Sequence, residues 1–259
     1  MRPISLSVSP RRLAVFLFGT TAALVAGHVL FTMGSEVTGH PMYRLPRFFN
    51  LGGEANLPAY FSAAILLLAA GLLALTARTA ETRWMRIGWV VLAAGFALMS
   101  LDEATLIHEG LVGSILLNQI GRGEGATYYR WYLLYIPLVV MIGALYVPFL
   151  LRLPRRLAGW FLAAAALFLG GAIGVEMVES TLAYTEASTI RIMVNQAIEE
   201  GAEMAGVSLF NVALVGHLAR LGARLDLGFG APEAAGPAGI PLHGAPEAPG
   251  TEAAARQLA

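Results

Sequence analysis

Three stretches of this sequence place acids at helical spacing within apolar surroundings. In LDEATLIHEG, Asp102 and Glu109 are seven residues apart, close to one line of a helix. Thr105 lies between them on that face, His108 is adjacent, and Glu103 points away. In GVEMVES, Glu176 and Glu179 stand at i, i+3. In NQAIEEGAEMAG, Asn195, Glu199 and Glu203 form an i, i+4 stripe, and Glu200 flanks Glu203 at i, i+3. Carboxylates joined by one or two histidines suit iron, manganese or zinc. Paired carboxylate helices also build di-metal sites in helix bundles. The expected ligands of one or two divalent metal ions are therefore Asp102, His108, Glu109, Glu176, Glu179, Glu199 and Glu203. His28, Glu54, Thr105, Asn195 and Glu200 could support them from behind. Metal identity is not legible, and no residue is singled out as catalytic.

The elements that must position these groups are membrane spans. Hydrophobic residues make up 57% of the 259 and charged residues 13%, against roughly 25% charged in soluble domains. The mean hydropathy is +0.66. Six apolar runs cover about 13–33, 58–77, 87–109, 131–151, 158–179 and 192–219, each long enough for a hydrocarbon core of roughly 30 Å. The expected fold is all-α: a polytopic membrane bundle of six transmembrane helices occupying 1–227. The first run follows Arg11 and Arg12, has no convincing cleavage site and precedes five more spans, so it reads as a retained helix. From Gly228 to Ala259 the chain is rich in Ala, Pro and Gly and is expected to be disordered. A balanced charge gives no sign of nucleic acid as a partner. The lack of cysteine excludes disulfides, thiolate metal sites and thiol catalysis.

Every basic side chain other than histidine is arginine, and arginine placement orients the spans. Arg2, Arg11, Arg12, Arg78, Arg83, Arg86, Arg152, Arg155, Arg156, Arg220 and Arg224 fall in segments on one side, against Arg44, Arg47, Arg122, Arg130 and Arg191 on the other, which predicts cytoplasmic N and C termini. Most acids fall toward the other side. Counted from the inner arginines at 1.5 Å per residue, Asp102 and His28 lie about 24 Å along their helices, Glu203 about 25 Å, and Glu176 and Glu199 about 30 Å. Four helices thus bring ionisable groups to one layer.

An unpaired acid at mid-bilayer costs about 2.5–3.5 kcal/mol, and several in one layer also repel one another. A bound cation would relieve both. Three readings stay open at this point: a metal site, a protonatable cluster in proton- or cation-coupled transport, and a structural or assembly subunit whose acids are solvated. If the chain is an enzyme, the depth suits an apolar substrate dissolved in the membrane. Membrane lipid is the expected surrounding partner, and the oligomeric state is not set. Three local expectations accompany these. Asn56 should cap the second helix before Pro58. Ala202 with Gly206, and Gly170, Gly171 and Gly174, should let neighbouring helices approach closely. His217, beside Arg220, should be interfacial.

The blocks EANLPAYFS, LMSLDEATLIHEG, GAIGVEM and IEEGAEMAG, in that order over roughly residues 40–220, resemble a family of uncharacterised bacterial multi-pass membrane proteins. The resemblance implies an inner-membrane location and carries no activity. The Glu199–Glu200 pair is similar to that of prenyl-processing intramembrane proteases, but the arginine and histidine motifs expected after it are missing. Ceramidase-like hydrolases need several late histidines, and ferritin-like proteins need Glu-x-x-His twice; the chain has neither pattern.

Overall fold

The computed structural model describes residues 4–6, 8–40, 42–107, 114–130, 132–223 and 225–227. His108, Glu109 and the segment 228–259 lie outside them. The chain divides into two units. One is a helical body, Ser7–Arg224. The other comprises Met1–Leu6 and Leu225–Ala259, where strand β1 (Ile4–Leu6) pairs antiparallel with β2 (Leu225–Leu227), Ile4 opposite Leu227.

The body is a bundle of six helices long and apolar enough to cross a membrane. They are α1 (Pro10–Thr38), α2 (Leu57–Arg78), α3 (Arg83–Thr105), α4 (Tyr132–Leu150), α5 (Arg155–Tyr184) and α6 (Thr189–Arg220). Each expected apolar run overlaps one of them, but the third, expected over 87–109, ends at Thr105, where Leu106 takes a left-handed conformation (φ 59°) and breaks the helical line expected to run on from Asp102. Their starts follow local chemistry. Asn56 caps α2, its Oδ1 accepting from Ala59 N at 3.1 Å, while its Nδ2 donates to Asn50 O and Gly53 O and closes the preceding loop. Thr82 caps α3 by accepting from Met85 N. Prolines in the first turn open α1 and α2, where a missing N–H costs nothing.

Two helices contain a wider π-type segment, His28–Met33 in α1 and Gly170–Val175 in α5. Such segments shift the register of a helix face and leave carbonyls seeking partners. Both pack against α6.

Helix α6 is the axis of the bundle. It packs against α1, α2 and α5, and 44% of its apolar window is buried, against 6% for α4 at the periphery. One apolar core joins α2, α3, α5 and α6 through Leu73, Trp89, Phe161, Phe210 and Leu214. A second joins α1, α2 and α6 through Leu17, Leu24, Ile65, Met204 and Val207. Large apolar side chains such as Val15, Phe16, Leu67, Leu98, Val140 and Leu145 are exposed, as lipid-facing groups must be. Side-chain hydrogen bonds to backbone then fix the helices pairwise: Ser100 Oγ to Ala63 O at 2.8 Å, Asn211 Nδ2 to Ile65 O at 2.9 Å, and Tyr146 OH to Gly88 O at 3.0 Å.

Helices α5 and α6 approach closely enough to bring backbone near backbone. A Cβ on Gly206 would lie 2.8 Å from Phe168 N and 2.9 Å from Ala164 O, and one on Gly171 would lie 2.8 Å from Glu199 O. Gly170 and Gly174, also expected at this contact, face open space. Gly206→Ala should therefore lower stability by about 1–3 kcal/mol through overpacking against backbone. Thermal unfolding in detergent checks it, with Gly143→Ala, whose Cβ would meet nothing within 4 Å, leaving the midpoint unchanged or raised.

Candidate functional site

The close approach of α5 and α6 decides which acids meet. With Gly171 against the Glu199 carbonyl, the π-type segment ends at Val175, and Glu176 opens the helical turn that faces α6. Asn195 Nδ2 donates to Val175 O at 3.2 Å and so takes up a carbonyl at the end of the π-type segment. Glu176 and Glu199 are 6% and 9% exposed, and their carboxyl groups hydrogen-bond to each other. Two ionised carboxylates have only acceptors, so one of the pair supplies the O–H donor. Glu179 and Glu203 lie within electrostatic range of Glu199. Gln196 Nε2 donates to Glu179 Oε1 at 3.3 Å, and its amide occupies the space that a side chain at position 52 would fill were that residue not glycine.

The other expected residues are placed differently. Asp102, on α3, lies within electrostatic range of Tyr135 on α4. Glu200 is half-buried, and Glu54 is exposed on the loop before α2. Thr105 is exposed, and its hydroxyl donates to Leu101 O at 2.6 Å. His108 and Glu109 lie outside the described residues. Among the described residues, no three Asp, Glu or His side chains converge in a way that would hold a metal ion.

His28 is fully buried and is committed to the backbone. Leu51 N donates to its Nδ1 at 3.0 Å, so Nε2 carries the hydrogen and donates to Met193 O at 3.2 Å. One ring thus joins α1, α6 and the loop before α2. His217 is half-buried and lies over Trp89, centroids 6.4 Å apart.

Inward of Glu203, the same face of α6 carries Gly206, Phe210, Ala213 and His217. Gly206 is pressed against α5. Phe210 stacks between Phe96, centroids 4.7 Å apart, and Phe161, 4.4 Å apart. Packed aromatic rings thus lie between the acids and the arginine-rich end of the bundle.

Gln196 and Ser180 join the site although the spacing of the acids does not point to them. A glutamine among apolar helix residues is itself a signal for an interhelical contact. Ser180, one turn beyond Glu176, is fully buried and accepts from Tyr129 N at 2.9 Å, tying the loop before α4 to α5.

A six-helix body with a lipid-exposed apolar surface and a buried pair of glutamates defines a multi-pass integral membrane protein. The chain belongs to the family described as domain of unknown function DUF8692, whose model matches residues 13–218. No curated protein and no solved structure matches it.

His28→Leu should lower stability by about 1–3 kcal/mol, because the buried Leu51 N–H loses its acceptor. Thermal unfolding in detergent checks it.

Proposed function

We propose that the protein is a cation-binding membrane protein of the bacterial inner membrane, with both termini cytoplasmic and its site toward the outer face. The site takes up a divalent metal ion (iron, manganese or zinc) in exchange for the hydrogen shared by Glu176 and Glu199. The observation that carries this reading is the hydrogen bond between two buried carboxyl groups from different helices, with Glu179 and Glu203 in electrostatic range. Acids that merely cap solvated helix ends have no reason to be buried against one another. As the side chains stand, the pair is set to hold a proton, so metal binding requires Glu179 and Glu203 to turn inward. Asp102, His108 and Glu109 are the further candidates for completing the ligand set. A metal held at this depth would suit oxidation or hydrolysis of an apolar, membrane-dissolved substrate.

The shared hydrogen also supports a second reading, proton- or cation-coupled transport. The aromatic packing of Phe96, Phe161 and Phe210 beneath the acids weighs against it, because a conducting route needs polar groups or water there.

Purified protein should retain stoichiometric iron, manganese or zinc by elemental analysis, and Glu176→Gln with Glu199→Gln should lose it. Because binding displaces a proton, apparent affinity should fall about tenfold for each pH unit lowered. Absence of retained metal, with no binding of added Mn²⁺ or Zn²⁺, would sink the metal reading and leave the proton one.

Orientation has its own test, made easy by the lack of native cysteine. An impermeant maleimide applied to intact cells should label Glu186→Cys, between α5 and α6, and spare Glu81→Cys, between α2 and α3. The reverse pattern would invert the topology.

A further inference from the structure

Two arginines stand near the glutamate end of the bundle, Arg122 exposed and Arg130 partly enclosed. Arg130 is half-buried, with its Nε fully enclosed and without a hydrogen-bond partner; its Nη2 donates only to the neutral carbonyl of Arg122, at 3.1 Å. The Arg122 guanidinium lies 4.7 Å from the centroid of the Tyr128 ring and donates to the Tyr128 hydroxyl. Among the described residues, neither guanidinium has a carboxylate partner.

The loop that carries them is built rather than slack. Gly121 and Gly125 take positive φ, 68° and 53°. Gly123 N donates to Tyr128 O at 3.3 Å. Ser180 of α5 accepts from Tyr129 N and donates to Gly125 O at 3.4 Å. Tyr128 packs against Tyr129 and Tyr184, with ring centroids 5.5 and 6.0 Å away. Tyrosines in such a group mark the level of lipid headgroups. Guanidinium groups recognise phosphate by parallel N–H···O bonds, and an enclosed guanidinium without an anion is costly.

We infer that Arg122 and Arg130, framed by Tyr128 and Tyr184, bind the phosphate group of an anionic ligand at the membrane surface, a lipid headgroup or free phosphate. Ser180 holds this loop beside Glu179, so the phosphate site and the glutamate pair share one stretch of α5. The phosphate site does not require a cation among the glutamates.

The full chain in detergent is titrated calorimetrically with dihexanoyl phosphatidic acid, inorganic phosphate and dihexanoylglycerol. The phosphatidic acid should bind and the phosphate-free glycerolipid should not. Arg130→Gln and Arg122→Gln should each weaken binding by about tenfold or more. Arg130→Lys should recover part of the loss, and Arg191→Gln, an exposed arginine on α6, should change nothing. Thermal unfolding confirms that the variants remain folded. Competition by inorganic phosphate at similar concentration would identify free phosphate as the ligand; failure to compete would identify the lipid. Equal binding of the glycerolipid, or native affinity in folded Arg122→Gln and Arg130→Gln, would overturn the site. Metal loss in the Glu176→Gln, Glu199→Gln protein with phosphate affinity retained would show that the two sites stand independently.

Discussion

Backbone lies against backbone where Gly206 of α6 meets Phe168 and Ala164 of α5, and most of the structure follows from that contact. Lipid offers no hydrophobic drive for helices to associate, so close packing and buried polar bonds must supply the attraction. A side chain at position 206 would force the helices apart over several turns. Two turns outward, the same approach brings Gly171 against the Glu199 carbonyl and sets Glu176 beside Glu199. The glycine contact and the glutamate pair are one geometric feature read at two depths.

Satisfaction of polar groups explains the surroundings of that pair. Inside a bilayer each backbone group must find a partner within the protein. The π-type segment in α5 turns Glu176 toward α6 at the expense of backbone regularity, and Asn195 answers the Val175 carbonyl. The π-type segment in α1 begins at His28, whose ring receives the Leu51 N–H and bonds the Met193 carbonyl. In both places an α6 group meets the irregular turn. The departures from helical geometry in α1 and α5 thus both face the central helix α6, where side chains and backbone are available to compensate for them.

The spans were legible because an apolar run of about 20 residues has few alternatives. Asn56 as a cap and Gly206 as a close contact were legible for a similar reason: each is a short-range rule about one residue type. Helical spacing also placed Glu176 and Glu179 on one face, and Asn195, Glu199 and Glu203 on another. Spacing along one helix says nothing about which neighbour that face meets. Asp102 matches Glu203 in depth, yet it lies by Tyr135 on α4. Depth is only one of three coordinates, and the angular arrangement of six helices depends on contacts such as Gly206 that act across the whole bundle. His28 illustrates a different limit. A histidine near a layer of acids reads as support for a ligand set, whereas its partners are backbone groups that no side-chain pattern can announce. The β1–β2 pair is equally silent, since it arises from pairing between distant parts of the chain.

The distribution of polarity along α6 bears on what kind of protein this is. A carrier that moves a charge across the membrane must offer it partners at successive depths. Here Glu176, Glu179 and Glu203 all lie within range of Glu199, and toward the arginine-rich end the same face of α6 runs through glycine and phenylalanine to a histidine stacked on Trp89. The polar groups that lie deeper, Asn211 and Ser100, face other helices and bond α2 backbone carbonyls. They hold the bundle together and do not extend the acidic stripe. Charge is thus gathered at one end and apolar packing at the other. That division favours a protein that binds its ligand at a membrane face over one that passes it through.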